Sequence, residues 1–219
     1  MIQQTYLYEN LCDSQFENLV ILICQELLGK GVQGFASGRD GGRDARFYGR
    51  AECYPSSTKP WEGLIIIQAK HTNGHNKSFS DKEVYSKENK NSLIAQKIPR
   101  IKALSQNKEV DYYMLFSNRR LTANKHFELI KYIAETTDIH CDAIAILGID
   151  EIERYIKLFP RIGQMANIDP VDCPSVIGPQ ELSEIIEALE KNKRRLLLKF
   201  RITLLLPGLL IVKKIKLII

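Results

Sequence analysis

The chain has 219 residues, 44% hydrophobic and 26% charged, with a formal net charge of +5, which describes a soluble globular protein able to bury a core of ordinary domain size. Its five cysteines (Cys12, Cys24, Cys53, Cys141, Cys173) are odd in number, scattered and without a CxxC pair, which excludes a disulfide framework and points to a reducing cytoplasm. The basic excess permits a polyanionic partner without proving one, and the N-terminus MIQQTYLYENLCD lacks the basic and apolar regions of a signal peptide.

In chain order, a first helix is expected from Asp13 or Ser14, with Phe16, Leu19, Val20, Ile23 and Leu27 as its apolar stripe and Gly29 as its stop. Glu17, three residues after Ser14, is open to two readings: a capping-box partner, or a carboxylate available for chemistry. GVQGFASG then reads as a short strand entering a turn at Gly38, Gly41 and Gly42, where glycine tolerates positive φ. Asp40 reads as a turn former, whereas Asp44 stands at the start of the next strand.

Two strand-like segments follow. In ARFYGR and GLIIIQAK the side chains alternate with period two, so Asp44, Arg46 and Tyr48 share one face, as do Ile66, Gln68 and Lys70. An acid, an amide and an ammonium can therefore meet on one sheet face. The loop between them holds the only Trp, Trp61, read as edge packing in preference to a base-stacking platform.

That trio suits metal-assisted phosphodiester hydrolysis. A carboxylate is a hard ligand for Mg²⁺, which keeps several waters and accepts neutral carbonyl oxygens. A lysine beside such a metal can orient a water or balance charge on the phosphorane.

Beyond Lys70 the chain is polar and lysine-rich. His71 and His75 lie among Gly and Asn residues with no further ligand, which makes zinc a poor reading. Lysines from Lys77 to Lys108 read either as DNA-backbone contacts or as a solvated helix face. DYYMLFSNRR is the next strand, followed by a helix over about Thr122 to Glu135, a buried strand in CDAIAILG and a helix stopped by Pro160. Alternating strands and helices predict an α/β domain with a mixed central sheet. No GxxxxGK[ST], GxSxG or HExxH pattern occurs, which weighs against ATP-driven and serine-hydrolase chemistry.

Residues 161–179 read as a proline-dotted linker, and residues 180–219 as an amphipathic, then apolar, helical extension. Its longest uncharged run, Ile202 to Val212, is broken by Pro207 and Gly208 and falls short of the roughly 20 residues of a membrane span. The extension is read as a truncated second domain, or as a surface that recruits a second copy or a partner protein.

GRDGGRD followed by QAK resembles the Mrr-like branch of the PD-(D/E)xK nuclease superfamily, in which a GxDGGxD turn precedes a Q-x-K strand. FENLVILICQELLG is similar to the first helix of those domains. The resemblance covers about three-quarters of the chain by element order, although its sharp part is short. It implies a restriction-endonuclease-like three-layer fold over residues 1–160 and a metal-dependent DNA endonuclease, with Mg²⁺ as cofactor and Mn²⁺ able to substitute. Its implied roles are Asp44 as principal metal ligand, Gln68 as strand-borne ligand, Glu17 as accessory carboxylate and Lys70 as catalytic lysine. Gln68 stands where the wider superfamily carries an acid, which marks the Mrr-like branch and removes one charge from the site. Arg43, Arg46 and Arg119 are expected near phosphate, and the implied biology is bacterial restriction or anti-phage defence. A non-cleaving nucleic-acid-binding module and a defence-system scaffold on the same fold remain open.

Overall fold

The computed structural model describes residues 6–35, 43–74, 76–86, 89, 91–168 and 187. The chain divides into two units, Met1–Val171 and Asp172–Ile219, and the sheet with its flanking helices belongs to the first. Gly38, Asp40, Gly41, Gly42 and His75, and the extension 180–219 apart from Glu187, lie outside the described residues.

The centre is a five-stranded mixed sheet in the order β1 (Gln33–Gly34), β2 (Ala45–Arg50), β3 (Glu62–Lys70), β4 (Tyr112–Ser117), β5 (Ile144–Leu147). β1, β2 and β3 are antiparallel neighbours, while β3, β4 and β5 run parallel. Short antiparallel strands can be joined by loops, but parallel ones need crossovers, and the chain supplies them as α2 (Leu93–Gln106) and α3 (Ala123–Thr137). β5 is buried at every position and β4 at all but Tyr112, as expected of parallel strands covered on both faces.

Helices cover both faces, giving three layers. Against one face pack α1 (Asp13–Leu27), α4 (Ile149–Leu158) and α5 (Arg161–Met165), over Ala45, Phe47, Ile65, Ile67, Ala69, Met114 and Phe116. Against the other lie α2 and α3, over Ile66, Tyr113, Leu115, Ile144 and Ile146. Each cluster follows from helical spacing: Phe16, Leu19, Val20, Ile23 and Leu27 form the buried stripe of α1, and Leu129 and Ile133 that of α3. Side chains fully removed from water in this way stabilise the fold by about 1.5–3 kcal/mol each.

Three local features differ from the sequence expectation. The N-cap of α1 is Cys12, whose amide donates to Gln15 Oε1 at 2.9 Å, so the capping-box role assigned to Ser14 and Glu17 belongs to Cys12 and Gln15. The stretch after Pro160 opens as α5, with Ile162, Ala166 and Ile168 buried and Arg161 donating to both oxygens of Glu26 on α1. Residues 161–168 thus belong to the domain core, because a four-residue apolar spacing allows one more turn to seat against α1. α3 runs two residues past the expected end, closing at Asp138 in the left-handed region.

Trp61 is 7% exposed, stacked on Tyr112 at 4.5 Å and edge-on to Tyr54 at 4.9 Å, which is edge packing. Beside it, Gly63 has φ +143°, and a Cβ there would meet the Asp111 carboxylate that accepts the Leu64 amide at 2.7 Å. Among the described residues, no helix is long and apolar enough to cross a membrane.

Candidate functional site

The site lies where β2 begins and β3 ends. The antiparallel register pairs Ala45 with Ile67, which sets Asp44, the preceding residue, across from Gln68. The Asp44 amide donates to Ile67 O at 3.1 Å and its carbonyl accepts from the Phe35 amide at 3.0 Å, so its backbone is fixed between β1 and β3. Its carboxylate Oδ2 accepts the Ala69 amide at 2.7 Å. A charge-assisted bond of that length holds the carboxylate against the strand segment carrying Gln68 and Lys70. Among the described residues, Oδ1 of Asp44 is left for another partner.

Gln68 is 2% exposed, on the sheet face beneath α2 and α3. Burying an amide there costs several kcal/mol unless it is hydrogen-bonded. Tyr113 meets part of that need: its hydroxyl donates to Gln68 Oε1 at 2.7 Å from the neighbouring strand, which fixes the direction of the amide carbonyl. Tyr113 is itself 1% exposed. Burial, and then the Asp44 charge, push its phenol well above the ordinary value, so it remains a hydroxyl donor.

Lys70 ends β3, partly buried, and pairs in register with Ser117 of β4. Ser117 is 2% exposed, and its hydroxyl has no hydrogen-bond partner among the described residues. Lys97 enters from α2, on the inward stripe between Ile94 and Ile101. Burial, the charge of Lys70 and a side-chain contact with Lys70 lower its pKa, while Asp44 opposes the shift. Two ammonium groups therefore share the neighbourhood of one carboxylate.

Glu17 sits in the first turns of α1, partly buried, next to Phe16. The Phe16 ring packs on His71, the residue after Lys70, at 5.6 Å between centroids. His71 contacts the Tyr8 carbonyl oxygen through Nε2 at 2.8 Å and lies 3.4 Å from Asp13, which ties the start of α1 to the end of β3. Glu17 is thereby carried on the end of α1 that adjoins the site.

The three arginines take different positions. Arg43 is partly exposed, 3.6 Å from Glu109. Arg46 is exposed on β2, donates through Nε to Gln33 Oε1 at 3.1 Å and lies over the Phe35 ring at 5.8 Å. Arg119 is 3% exposed, and its guanidinium donates to Thr72 Oγ1, the Ser78 carbonyl, Asp81 and Glu83. As placed, Arg119 holds the loop after β3 against the end of β4.

The sequence reading did not single out Tyr113 or Lys97. Period two along YYMLFS allows either tyrosine face, and only the Ile66–Tyr113 register assigns Tyr113 to the Gln68 side. Lys97 was one among many lysines, although Ile94 and Ile101 on either side mark its face as inward. Among the described residues no group of three or more His, Cys, Asp or Glu side chains converges. Comparison of this chain with protein-family models, curated proteins and solved structures finds no match.

Proposed function

We propose that this chain is a Mg²⁺-dependent DNA endonuclease of the Mrr-like, restriction-endonuclease-like kind, acting in the cytoplasm as the effector of a restriction or anti-phage system. One observation carries the reading: an acid, a buried amide and a lysine converge at one end of a sheet, and the acid is fixed by the backbone amide between the other two. A sheet with no site there has no physical need to bury Gln68 and recruit Tyr113 to satisfy it.

The donor set suits a hard cation. Asp44 Oδ1 offers a charged oxygen, and the Gln68 side-chain carbonyl, which accepts from Tyr113, is a neutral oxygen of the kind Mg²⁺ accepts. Glu17 is assigned as the accessory carboxylate. Mg²⁺ requires only one or two such carboxylates, because it retains waters and takes phosphate oxygens. When bound, it supplies polarisation of the phosphate and a more acidic attacking water. Lys70 would orient the attacking water and balance charge developing on the phosphate. Tyr113 fixes the direction of the Gln68 carbonyl, and Lys97 would offer its ammonium to a phosphate oxygen.

A non-cleaving nucleic-acid-binding module is the second reading, and the pairing of Lys70 and Lys97 around one acid favours it. Two ammonium groups beside one carboxylate leave an excess of positive charge that attracts phosphate whether or not a metal is present. Recruitment of a second copy or a partner protein by residues 180–219 belongs to the same proposal.

Incubation of the full chain with supercoiled and linear plasmid in Mg²⁺, in Mn²⁺ and in EDTA separates these readings. Metal-dependent nicking or cutting is the expected result. Salt-sensitive DNA binding with no product in either metal would replace the endonuclease with the binding module.

A further inference from the structure

β2 carries a second feature on the same face as Asp44. Arg46, Tyr48 and Arg50 alternate on its exposed side, and Tyr48 is 81% exposed. Their cross-strand neighbours on β3 are Ile66, Leu64 and Glu62. Ile66 is fully buried in the cluster beneath α2 and α3, and Leu64 packs against it. Among the described residues the helical layer thus covers this face of β3 and leaves Arg46, Tyr48 and Arg50 of β2, about 4.8 Å away, exposed.

A single exposed tyrosine needs no explanation by itself. Its setting is what carries meaning. Arg46 is engaged by the neutral Gln33 amide and the Phe35 ring, with no ion pair to an acid among the described residues. Arg50 has Glu62 across from it and contributes less. The helix bordering the far end, α2, has the sequence LIAQKIPRIKALSQ, with three cations (Lys97, Arg100, Lys102) and no acid, and its Lys97 stands beside Asp44. Tyr48 is four residues from Asp44 along one strand face, a separation of about 13 Å.

We propose that the exposed face of β2 is a shelf for a single nucleic-acid strand, on which Tyr48 stacks a base and Arg46 holds a backbone phosphate, leading that strand toward Asp44. This rests on the endonuclease reading for its direction, though not for its binding chemistry. An exposed aromatic ring beside the guanidinium of Arg46 matches a strand that presents a base face and a phosphate at each step. The base must be unstacked to reach Tyr48, so the favoured ligand is single-stranded DNA or an opened end, and intact duplex is bound less well.

The test is fluorescence anisotropy of labelled oligothymidylate with the full chain in EDTA, across a salt series, beside plasmid cleavage by the same proteins. Tyr48→Ala is expected to weaken single-strand binding by about 5- to 150-fold, and Tyr48→Trp to restore it. Arg46→Gln is expected to lower the slope of log affinity against log salt by about 0.7. Binding by Tyr48→Ala within about twofold of the wild type overturns the shelf. So does a change in sedimentation of that variant with binding unaltered, which would make the face a contact between copies of the chain. Cleavage with Tyr48-independent binding leaves the nuclease and removes the shelf; Tyr48-dependent binding without cleavage in any metal does the reverse.

Discussion

The two faces of β3 are built to different ends. On one, Ile65, Ile67 and Ala69 are buried beneath α1, α4 and α5 in an uninterrupted apolar layer. On the other, Ile66 continues the core, but Gln68 and Lys70 replace apolar residues as the strand approaches Asp44. Gln68 and Ile67 are nearly equally hidden from water, at 2% and 0% exposed. Equal burial with unlike chemistry separates a face selected for packing from one that carries polar groups at an energetic cost, and the cost is what points to a site.

Substitutions can break that contrast from either side. The largest expected effect is on cleavage: Asp44→Asn, which keeps an acceptor for the Ala69 amide but removes the charge, and Lys70→Ala should each slow plasmid cutting by about 10²–10⁴-fold. Circular dichroism melts of both variants should stay close to that of the wild type. On the packed face the order reverses. Ile67→Ala should lower stability in urea by about 2–5 kcal/mol, because a fully buried side chain leaves a cavity, and cleavage measured well below the melting range should be retained.

Tyr113→Phe sharpens the comparison, since it touches both packing and chemistry. Loss of its hydroxyl removes a donor to Gln68, which should cost about 1–3 kcal/mol in stability and slow cleavage as the amide loses its orientation. An unchanged rate would detach Gln68 from the chemistry.

The smallest effect is at Glu26 on the packed side. Lys30 and Arg161 hold its carboxyl below the ordinary 4.5. A lowered folded-state value means that the unfolded chain binds the proton more readily, so the stabilisation is present above about 4.5 and is lost as pH falls through the folded value. Glu26→Gln should therefore lower stability by at most about 1 kcal/mol at neutral pH, with the difference from the wild type vanishing in acid. Thermal melts across pH 2–7 check the sign.

Much of this architecture was legible in the sequence. The stripe of α1 and the predominantly apolar runs of β4 and β5 each have one low-energy placement, so their periodicity was enough. Period two also foretold the shared face of Asp44, Gln68 and Lys70. Contacts that depend on register between separate strands were not legible: Tyr113 meets Gln68 across 45 residues of chain, and no local pattern encodes that pairing. Arg119 fails for a related reason. Its position after a strand suggests an exposed loop, but Asp81 and Glu83, 38 and 36 residues away, fold back to enclose it. α5 was missed because Pro160 reads as a stop, whereas proline is also tolerated where a helix starts.

A single-turnover cleavage cycle with wild type, Asp44→Asn, Lys70→Ala and the double variant, in Mg²⁺ and in EDTA, tests whether Asp44 and Lys70 form one site. If Asp44 and Lys70 act as one metal-dependent site, cutting requires Mg²⁺, and the double variant is about as slow as the slower single one. Cutting in EDTA, a single variant at the wild-type rate, or losses that multiply in the double variant would contradict it.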